Sequence, residues 1–241
     1  MRELTQVSDR VWVAHSRVFA TNSAVVTTGR DECVVVDPAV TPNEVAGLAA
    51  AITAKGWRVR AGLSTHPHWD HLLWSAGLGD APRYGSPRAV AALTEPVRAA
   101  AWAAVEQTAP GHDFARFALL TALDAASGSE LAAPPEASGL RVFEHRAHAP
   151  GHLAIVVDDV LLVGDMLSDV EPPLLDDGAE TGTPPGDPVD DYRCGLRLLD
   201  ELVHAHRIDV AVPGHGSVAR TRAEISARIA TDRTWLDQRQ P

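Results

Sequence analysis

Short runs rich in β-branched residues alternate with helix-like segments along the chain. Three such runs occupy the first part of the sequence and predict strands at 11–15, 22–29 and 32–39. The segment 41–56 that follows predicts a helix, because Thr41 can cap its first turn, Glu44 stands at the capping-box position and Gly56 can end it.

The same alternation continues to the end of the chain. A strand is predicted at 57–65, and alanine-rich helices are predicted at 86–108 and 112–124. The remaining predicted elements are strands at 141–145, 153–165 and 207–216, an amphipathic helix at 190–206 and a closing helix at 222–238. This order of strands and helices favours a layered α/β body over an all-β barrel.

The composition is that of a folded globular protein. The 241 residues are 45% hydrophobic and 22% charged, which excludes a disordered or fibrous chain. No apolar run reaches the roughly 18–20 residues that a membrane-spanning helix needs, and the first residues carry no secretory signal pattern. We therefore expect a cytoplasmic protein with no membrane partner. Cys33 and Cys194 are too few for a disulfide framework or a cysteine-rich zinc site.

The net charge of −11 is concentrated in one segment. Residues 165–191 contain nine carboxylates and no lysine or arginine. The proline and glycine content of residues 168–191 predicts a mobile acidic loop without regular structure. Because a protein that binds the phosphate backbone normally has a basic face, we expect a small-molecule substrate and no nucleic-acid partner.

A cluster of possible metal ligands follows the strand predicted at 57–65. It has the pattern HxHxDH, formed by His66, His68, Asp70 and His71. In an extended segment His66 and His68 point to the same side, and a turn after them can bring Asp70 and His71 to a neighbouring position. Imidazole and carboxylate groups suit zinc, iron or manganese at a hydrolytic centre. The pattern therefore predicts a metal site.

Three later motifs place a histidine or an aspartate at a turn beside a predicted strand. They are APGH, VGD and VPGHG, which contain His152, Asp165 and His215. Glycine at such turns permits a close approach of the backbone. Each motif is weak alone, but their order and spacing after HxHxDH indicate that they contribute to one site.

Together these motifs resemble the metallo-β-lactamase superfamily over nearly the whole chain. The resemblance implies an α/β fold, a four-layered αββα sandwich, as a single domain over residues 1–241 with a helical insertion at about 86–124. It also implies two divalent metal ions, which we expect to be zinc, with iron or manganese as alternatives. The first metal would be held by His66, His68 and His152, the second by Asp70, His71 and His215, and Asp165 would bridge them. Asp37 matches an aspartate that the superfamily places beside the ligands without coordinating.

Several assignments near the site have alternatives. A shift of register at the third motif would make His145 or His148 a ligand in place of His152. Trp69, between two proposed ligands, either packs under the loop or touches substrate. The apolar residues of 86–124 would cover one side of the metal cleft or form the face of a homodimer.

The resemblance implies a metal-dependent hydrolase in which a metal-bound hydroxide cleaves an ester, a thioester or a lactone. Asp70 would ligate and also orient the attacking water as the catalytic carboxylate. Asp165 stands where many true β-lactamases carry a cysteine, which disfavours that activity. The alternative activity is that of a mononuclear iron dioxygenase acting on persulfides.

Overall fold

The computed structural model describes residues 3–178 and 186–239 of the chain. Its strands are β1 (Thr5–Gln6), β2 (Val11–His15), β3 (Asn22–Thr27), β4 (Glu32–Val36), β5 (Arg58–Leu63), β6 (Arg83–Gly85), β7 (Thr121–Ala122), β8 (Ala125–Ser127), β9 (Glu130–Leu131), β10 (Arg141–His145), β11 (His152–Val157), β12 (Val160–Leu162) and β13 (Val210–Val212). Its helices are α1 (Pro42–Ala54), α2 (Pro87–Ala92), α3 (Glu95–Thr108), α4 (Pro188–Ala205) and α5 (Arg222–Asp237). No helix within the described ranges is long and apolar enough to cross a membrane.

The strands form two mixed sheets. The first sheet runs in chain order from β1 to β7, antiparallel as far as β4 and parallel from β4 to β7. The second sheet has the order β13-β12-β11-β10-β9-β8 and is antiparallel except for the β12–β13 pair. Parallel neighbours bring the carboxyl ends of β4 and β5 to one edge of the first sheet, and those of β12 and β13 to one edge of the second.

The alternation of side chains within each strand builds the layers. Val34 and Val36 of β4 point into the core between the sheets, where they join Ile155 and Val157 of β11. The residues of opposite parity face outward, such as Val35, which packs on α1. On the second sheet the outward residues pack against α4 and α5. The result is the predicted α/β architecture with helices outside both sheets.

Helix α1 confirms the capping prediction. The Thr41 hydroxyl accepts a hydrogen bond from the Glu44 backbone N–H at 3.3 Å, and Glu44 Oε2 accepts one from the Thr41 N–H at 3.1 Å. Gly56 has a φ of 77°, which suits glycine at the end of a helix.

The prediction of a helix at 112–124 is wrong. Only a single 3₁₀ turn, Phe114–Arg116, forms there, and strand β7 follows it. Tertiary contacts override the helical pattern: the Ala118 N–H donates to the Leu72 carbonyl, and the Leu123 N–H donates to the Gly85 carbonyl. The Phe117 side chain is buried against Leu72, so the segment is tied to the core as an extended chain.

The acidic segment 168–191 is only partly irregular. Residues 168–178 contain no helix or strand, whereas α4 begins at Pro188, earlier than predicted. Asp187 caps this helix by accepting from the Val189 and Asp190 N–H groups, and Asp190 and Asp191 lie in its first turn, where negative charge is favourable. The rest of the predicted loop, residues 179–185, lies outside the described residues.

Candidate metal centre

The HxHxDH segment begins directly after β5, at the edge where the two sheets meet. The Leu153 N–H of β11 donates to the Thr65 carbonyl at 2.8 Å, which ties the segment to the second sheet. Residues Trp69–His71 form a 3₁₀ turn, and the Ser64 hydroxyl donates to the His71 carbonyl at 2.8 Å to close it. This turn brings the second half of the motif beside the first, as the sequence predicts.

Three imidazoles and one carboxylate form a first group of possible ligand atoms, from His66, His68, His148 and Asp165. Nε2 of His148 lies 3.3 Å from Nε2 of His66 and 3.1 Å from Nδ1 of His68. Oδ2 of Asp165 lies 3.4 Å from Nε2 of His66 and 3.4 Å from Nε2 of His148. All four atoms therefore surround one point.

A second group lies next to the first and consists of Asp70, His71 and His215. Oδ2 of Asp70 lies 3.3 Å from Nε2 of His215 and 3.5 Å from Nε2 of His71. Asp165 reaches this group as well, with Oδ1 at 3.2 Å from Nε2 of His71 and Oδ2 at 3.2 Å from Nε2 of His215. The Asp165 carboxylate thus lies between the two groups, the position that a bridging ligand needs.

His152 departs from the expected arrangement. It is fully buried beside the first group, but its Nε2 accepts from the Asp165 backbone N–H at 3.3 Å and its Nδ1 lies 3.1 Å from the Ala147 carbonyl oxygen. Neither nitrogen belongs to a ligand group among the described residues. The structure brings His148 to the place expected for His152, which is the shift of register considered above.

Strand pairing explains this exchange. His145 and His152 are directly opposite one another in the β10–β11 ladder, with ring centroids 4.7 Å apart, so both are held within the sheet. The turn between these strands carries His148, with a φ of 71°, out towards His66 and His68. The strands predicted at 141–145 and 153–165 left both His148 and His152 in the turn between them, and only the observed start of β11 at His152 separates the two.

Asp37 lies behind the second group, as expected of a residue that supports a ligand. Its two carboxylate oxygens accept from the Thr65 N–H at 2.8 Å and from the Thr65 hydroxyl at 2.6 Å. Oδ2 of Asp37 is also 2.9 Å from Nδ1 of His71. A carboxylate on one imidazole nitrogen keeps the proton there and leaves the other nitrogen as a metal ligand.

The two groups differ in their electrostatics. Burial, with repulsion from His148, lowers the pKa of His68 to about 3, and burial holds the pKa of His66 well below its usual value. Burial opposes the charge of His71 too, but the surrounding carboxylates outweigh it and hold the His71 pKa well above the ordinary value. For His215, hydrogen bonds to Asp165 and Asp70 overcome burial and raise the pKa to about 10. Burial therefore favours the neutral imidazoles of His66 and His68 in the first group, and the second group lies in a negative field that favours a cation.

These residues fit divalent metal ions. Tetrahedral coordination at about 2.0–2.2 Å places ligand atoms roughly 3.3–3.6 Å apart, close to the spacings of the first group. Among the described residues, His71 Nε2 and Asp165 Oδ1 are buried and have no hydrogen-bond partner. A cation between them would satisfy both atoms, which are otherwise costly to bury.

Two glycines make room for this arrangement. A Cβ at Gly214 would lie 2.0 Å from Oδ1 of Asp165, and a Cβ at Gly164 would lie 2.0 Å from Nε2 of His152. Both glycines come from the motifs singled out in the sequence, and side chains at these positions would displace the groups around the centre.

Helix α3 supports the metal-binding turn from the side. Val105 is buried against Leu72 and Leu73, the residues that follow His71, and Trp69 packs on the same cluster. Helix α3 thus covers the segment that carries the second half of HxHxDH. The Trp69 ring also meets the half-exposed Phe19 ring in an edge-to-face contact, with ring centroids 6.3 Å apart.

Comparison with known proteins agrees with this geometry. The family model of the metallo-β-lactamase superfamily matches residues 16–215. The chain belongs to this superfamily. Among solved structures, the DIM-1 metallo-β-lactamase is similar at a TM-score of 0.61 and 17% identity, with 97% of this chain and 98% of that chain covered. VMB-1 is similar at a TM-score of 0.57 and 15% identity, with 97% of each chain covered. At these identities the likeness shows the fold alone. No curated protein matches the chain significantly.

Proposed function

We propose that this superfamily member is a hydrolase of a small ester, thioester or lactone that depends on two divalent metal ions, with zinc as the first choice. The observation that carries the proposal is the shared carboxylate of Asp165, which faces the first group with Oδ2 and lies 3.2 Å from His71 of the second with Oδ1. Two ligand groups that share one carboxylate suit a pair of cations better than one.

The proposed ligands follow the geometry. His66, His68 and His148 would hold the first metal, and Asp70, His71 and His215 the second, with Asp165 between them. Bound divalent metals of this kind lower the pKa of water and polarise a substrate carbonyl.

The protein side chains orient the reacting groups. The Asp70 carboxylate would accept a hydrogen bond from the attacking water and take up its proton. A general base must lie within hydrogen-bond distance of the proton that it takes, and a ligand of the second group would lie that close to the water. Oδ2 of Asp37 attracts the His71 ring from 2.9 Å at Nδ1, and the Ser64 hydroxyl fixes the His71 backbone through its carbonyl. The chemistry needs no serine or cysteine nucleophile. Cys33 is unsuited to that role, because burial raises the pKa of its thiol to about 12.

A small molecule is the proposed partner, in the cytoplasm and without a nucleic-acid or membrane partner. The segment that starts at Asp165 carries nine carboxylates without a basic residue, which repels a polyanion. Two bound dications would offset nearby carboxylates at short range, so a single carboxylate on the substrate would still be tolerated.

Metal analysis and a substrate panel test this proposal. Protein purified without added metal is analysed for its elements, then assayed on small esters, lactones and thioesters. We expect close to two equivalents of metal, mostly zinc, with loss of metal and activity in His68→Ala. The matched control is His204→Ala, because the His204 side chain is exposed on α4 and should affect neither. One equivalent of iron with oxygen uptake on a persulfide would instead establish the dioxygenase alternative, and metal well below one equivalent would contradict both.

A further inference from the structure

Helix α5 lies beyond residues 16–215 that the family model matches, yet it contacts both loops that begin at proposed ligands. One loop follows Asp165 and continues through Leu167 to Asp169. The other follows His215 and continues to Ser217. Both loops leave the carboxyl ends of the parallel strands β12 and β13.

Arg228 of α5 joins the two loops. Its Nη1 donates to the Leu167 carbonyl at 3.0 Å and to the Ser217 carbonyl at 2.8 Å. Its Nη2 donates to the Ser217 hydroxyl at 3.0 Å and lies 3.3 Å from Oδ2 of Asp169. Asp169 completes the connection by accepting hydrogen bonds from the Ser217 N–H at 2.8 Å and from the Ser217 hydroxyl.

Asp232, one turn further along α5, contacts the same loop. Its carboxylate accepts hydrogen bonds from the Leu167 N–H and, at 3.3 Å, from the Tyr192 hydroxyl. Both polar backbone atoms of Leu167 are therefore bonded to side chains of α5. Leu167 needs this support, because its φ of 58° is unfavourable for a residue with a side chain.

We infer that Arg228 is a positioning residue for the metal centre: its guanidinium fixes the Asp165 loop against the His215 loop, so that Asp165 lies between both ligand groups. The inference rests on the proposed function, since it assumes that these residues hold metal. A ligand two residues from a fixed backbone carbonyl can move little. Conversely, two loops that are not joined can separate, and Nε2 of His215 would lose its 3.2 Å spacing to Asp165.

Charge alone predicts the opposite effect, which makes the inference testable. Removing a positive side chain near a cation site should strengthen metal binding if only long-range electrostatics matters. Loss of positioning should weaken it, by about 10-fold, the lower end of the effect of outer-shell partners.

The experiment compares Arg228→Ala, Arg228→Lys and Ser217→Ala with Arg233→Ala in the full chain. Arg233 is the matched control, because it lies on the same helix and donates to Asp200 of α4 instead of to a ligand loop. Zinc affinity is measured by competition with a chromophoric chelator, the visible spectrum of the cobalt-substituted protein reports the ligand geometry, and thermal unfolding of the metal-free protein reports stability.

We expect about 10-fold weaker zinc binding and an altered cobalt spectrum in Arg228→Ala, partial recovery in Arg228→Lys, a smaller loss in Ser217→Ala and no change in Arg233→Ala. Unchanged affinity in Arg228→Ala, even with a lower Tm, would overturn the inference and leave only a structural role. If Arg228→Ala does not fold, weaker zinc binding in Ser217→Ala than in Arg233→Ala supports the inference, and equal binding in the two variants overturns it. Wild-type protein that binds no metal would overturn the proposed function and this inference together.

Discussion

Replacing His148 and His152 separately by alanine distinguishes the two candidates for the third imidazole of the first metal. The two residues are four positions apart and both are buried, but the structure gives them different partners. His148 Nε2 faces the other ligand atoms, whereas His152 faces the backbone of Asp165 and Ala147. The two variants should therefore fail in different assays.

His148→Ala should reduce metal affinity more than it reduces stability. Loss of an outer-shell partner costs about 10–100-fold in affinity, so loss of a direct ligand should cost at least about 100-fold. A factor of 100 corresponds to about 2.8 kcal/mol. Within the described residues the ring nitrogens of His148 have hydrogen-bond-distance contacts only with proposed ligands, so the metal-free protein should unfold at nearly the wild-type temperature.

His152→Ala should show the reverse pattern. It leaves the Asp165 N–H and the Ala147 carbonyl unpaired in a buried place, each at a cost of about 1–3 kcal/mol. A total near 3 kcal/mol would lower the Tm of a chain of this size by roughly 6–12 °C. Because the ring positions Asp165 without binding metal, zinc affinity should fall by about 10-fold.

The assay combines three measurements on each variant: zinc content, zinc affinity by chelator competition, and the Tm of the metal-free protein. His204→Ala serves as the control and should match the wild type in all three. If His152→Ala loses a metal as completely as His148→Ala while its metal-free Tm is unchanged, His152 is the ligand and the assignment made from the structure is refuted.

Three further predictions concern the surroundings of the centre. In Asp37→Asn, an amide N–H replaces the carboxylate 2.9 Å from Nδ1 of His71 and favours the tautomer with its proton on Nε2, the proposed ligand atom. We therefore expect affinity for the second metal to fall about 10–100-fold with the fold retained. Unchanged affinity in zinc titrations would contradict this. In Gly214→Ala the added Cβ would lie 2.0 Å from Oδ1 of Asp165, so zinc content should drop, whereas Gly29→Ala, with its nearest atom at 3.6 Å, should match the wild type; equal zinc content in both would argue against the predicted crowding. The acidic segment is neutralised by substituting asparagine for Asp176, Asp177, Asp187 and Asp190. This change should raise kcat/KM for a multiply anionic substrate relative to a neutral one at low salt but not at high salt. Equal ratios of kcat/KM throughout would show that the segment has no influence on substrate choice.

Local sequence patterns were sufficient for the elements whose residues interact mainly with near neighbours. The capping box of Thr41 and Glu44 acts within one turn of helix, so the start of α1 could be predicted from four residues. The valine-rich strands could be predicted from their runs of β-branched residues. The HxHxDH segment could be recognised because its ligands lie within six residues and one tight turn brings them together.

Tertiary contacts decided the features that depend on segments far apart in the chain. The helical pattern of 112–124 gave way to backbone hydrogen bonds with Leu72 and Gly85, which no local pattern contains. His148 and His152 are equivalent as sequence letters, and only the pairing of β10 with β11 holds one in the sheet and leaves the other in the turn. The contacts of Arg228 with the loops after Asp165 and His215 likewise span 61 and 11 residues. The sequence by itself thus determined which chemical groups are present and the local turns that carry them. The packing of the two sheets and α5 decided which of these atoms meet at the metal centre, because that depends on distances between segments that only the folded chain brings together.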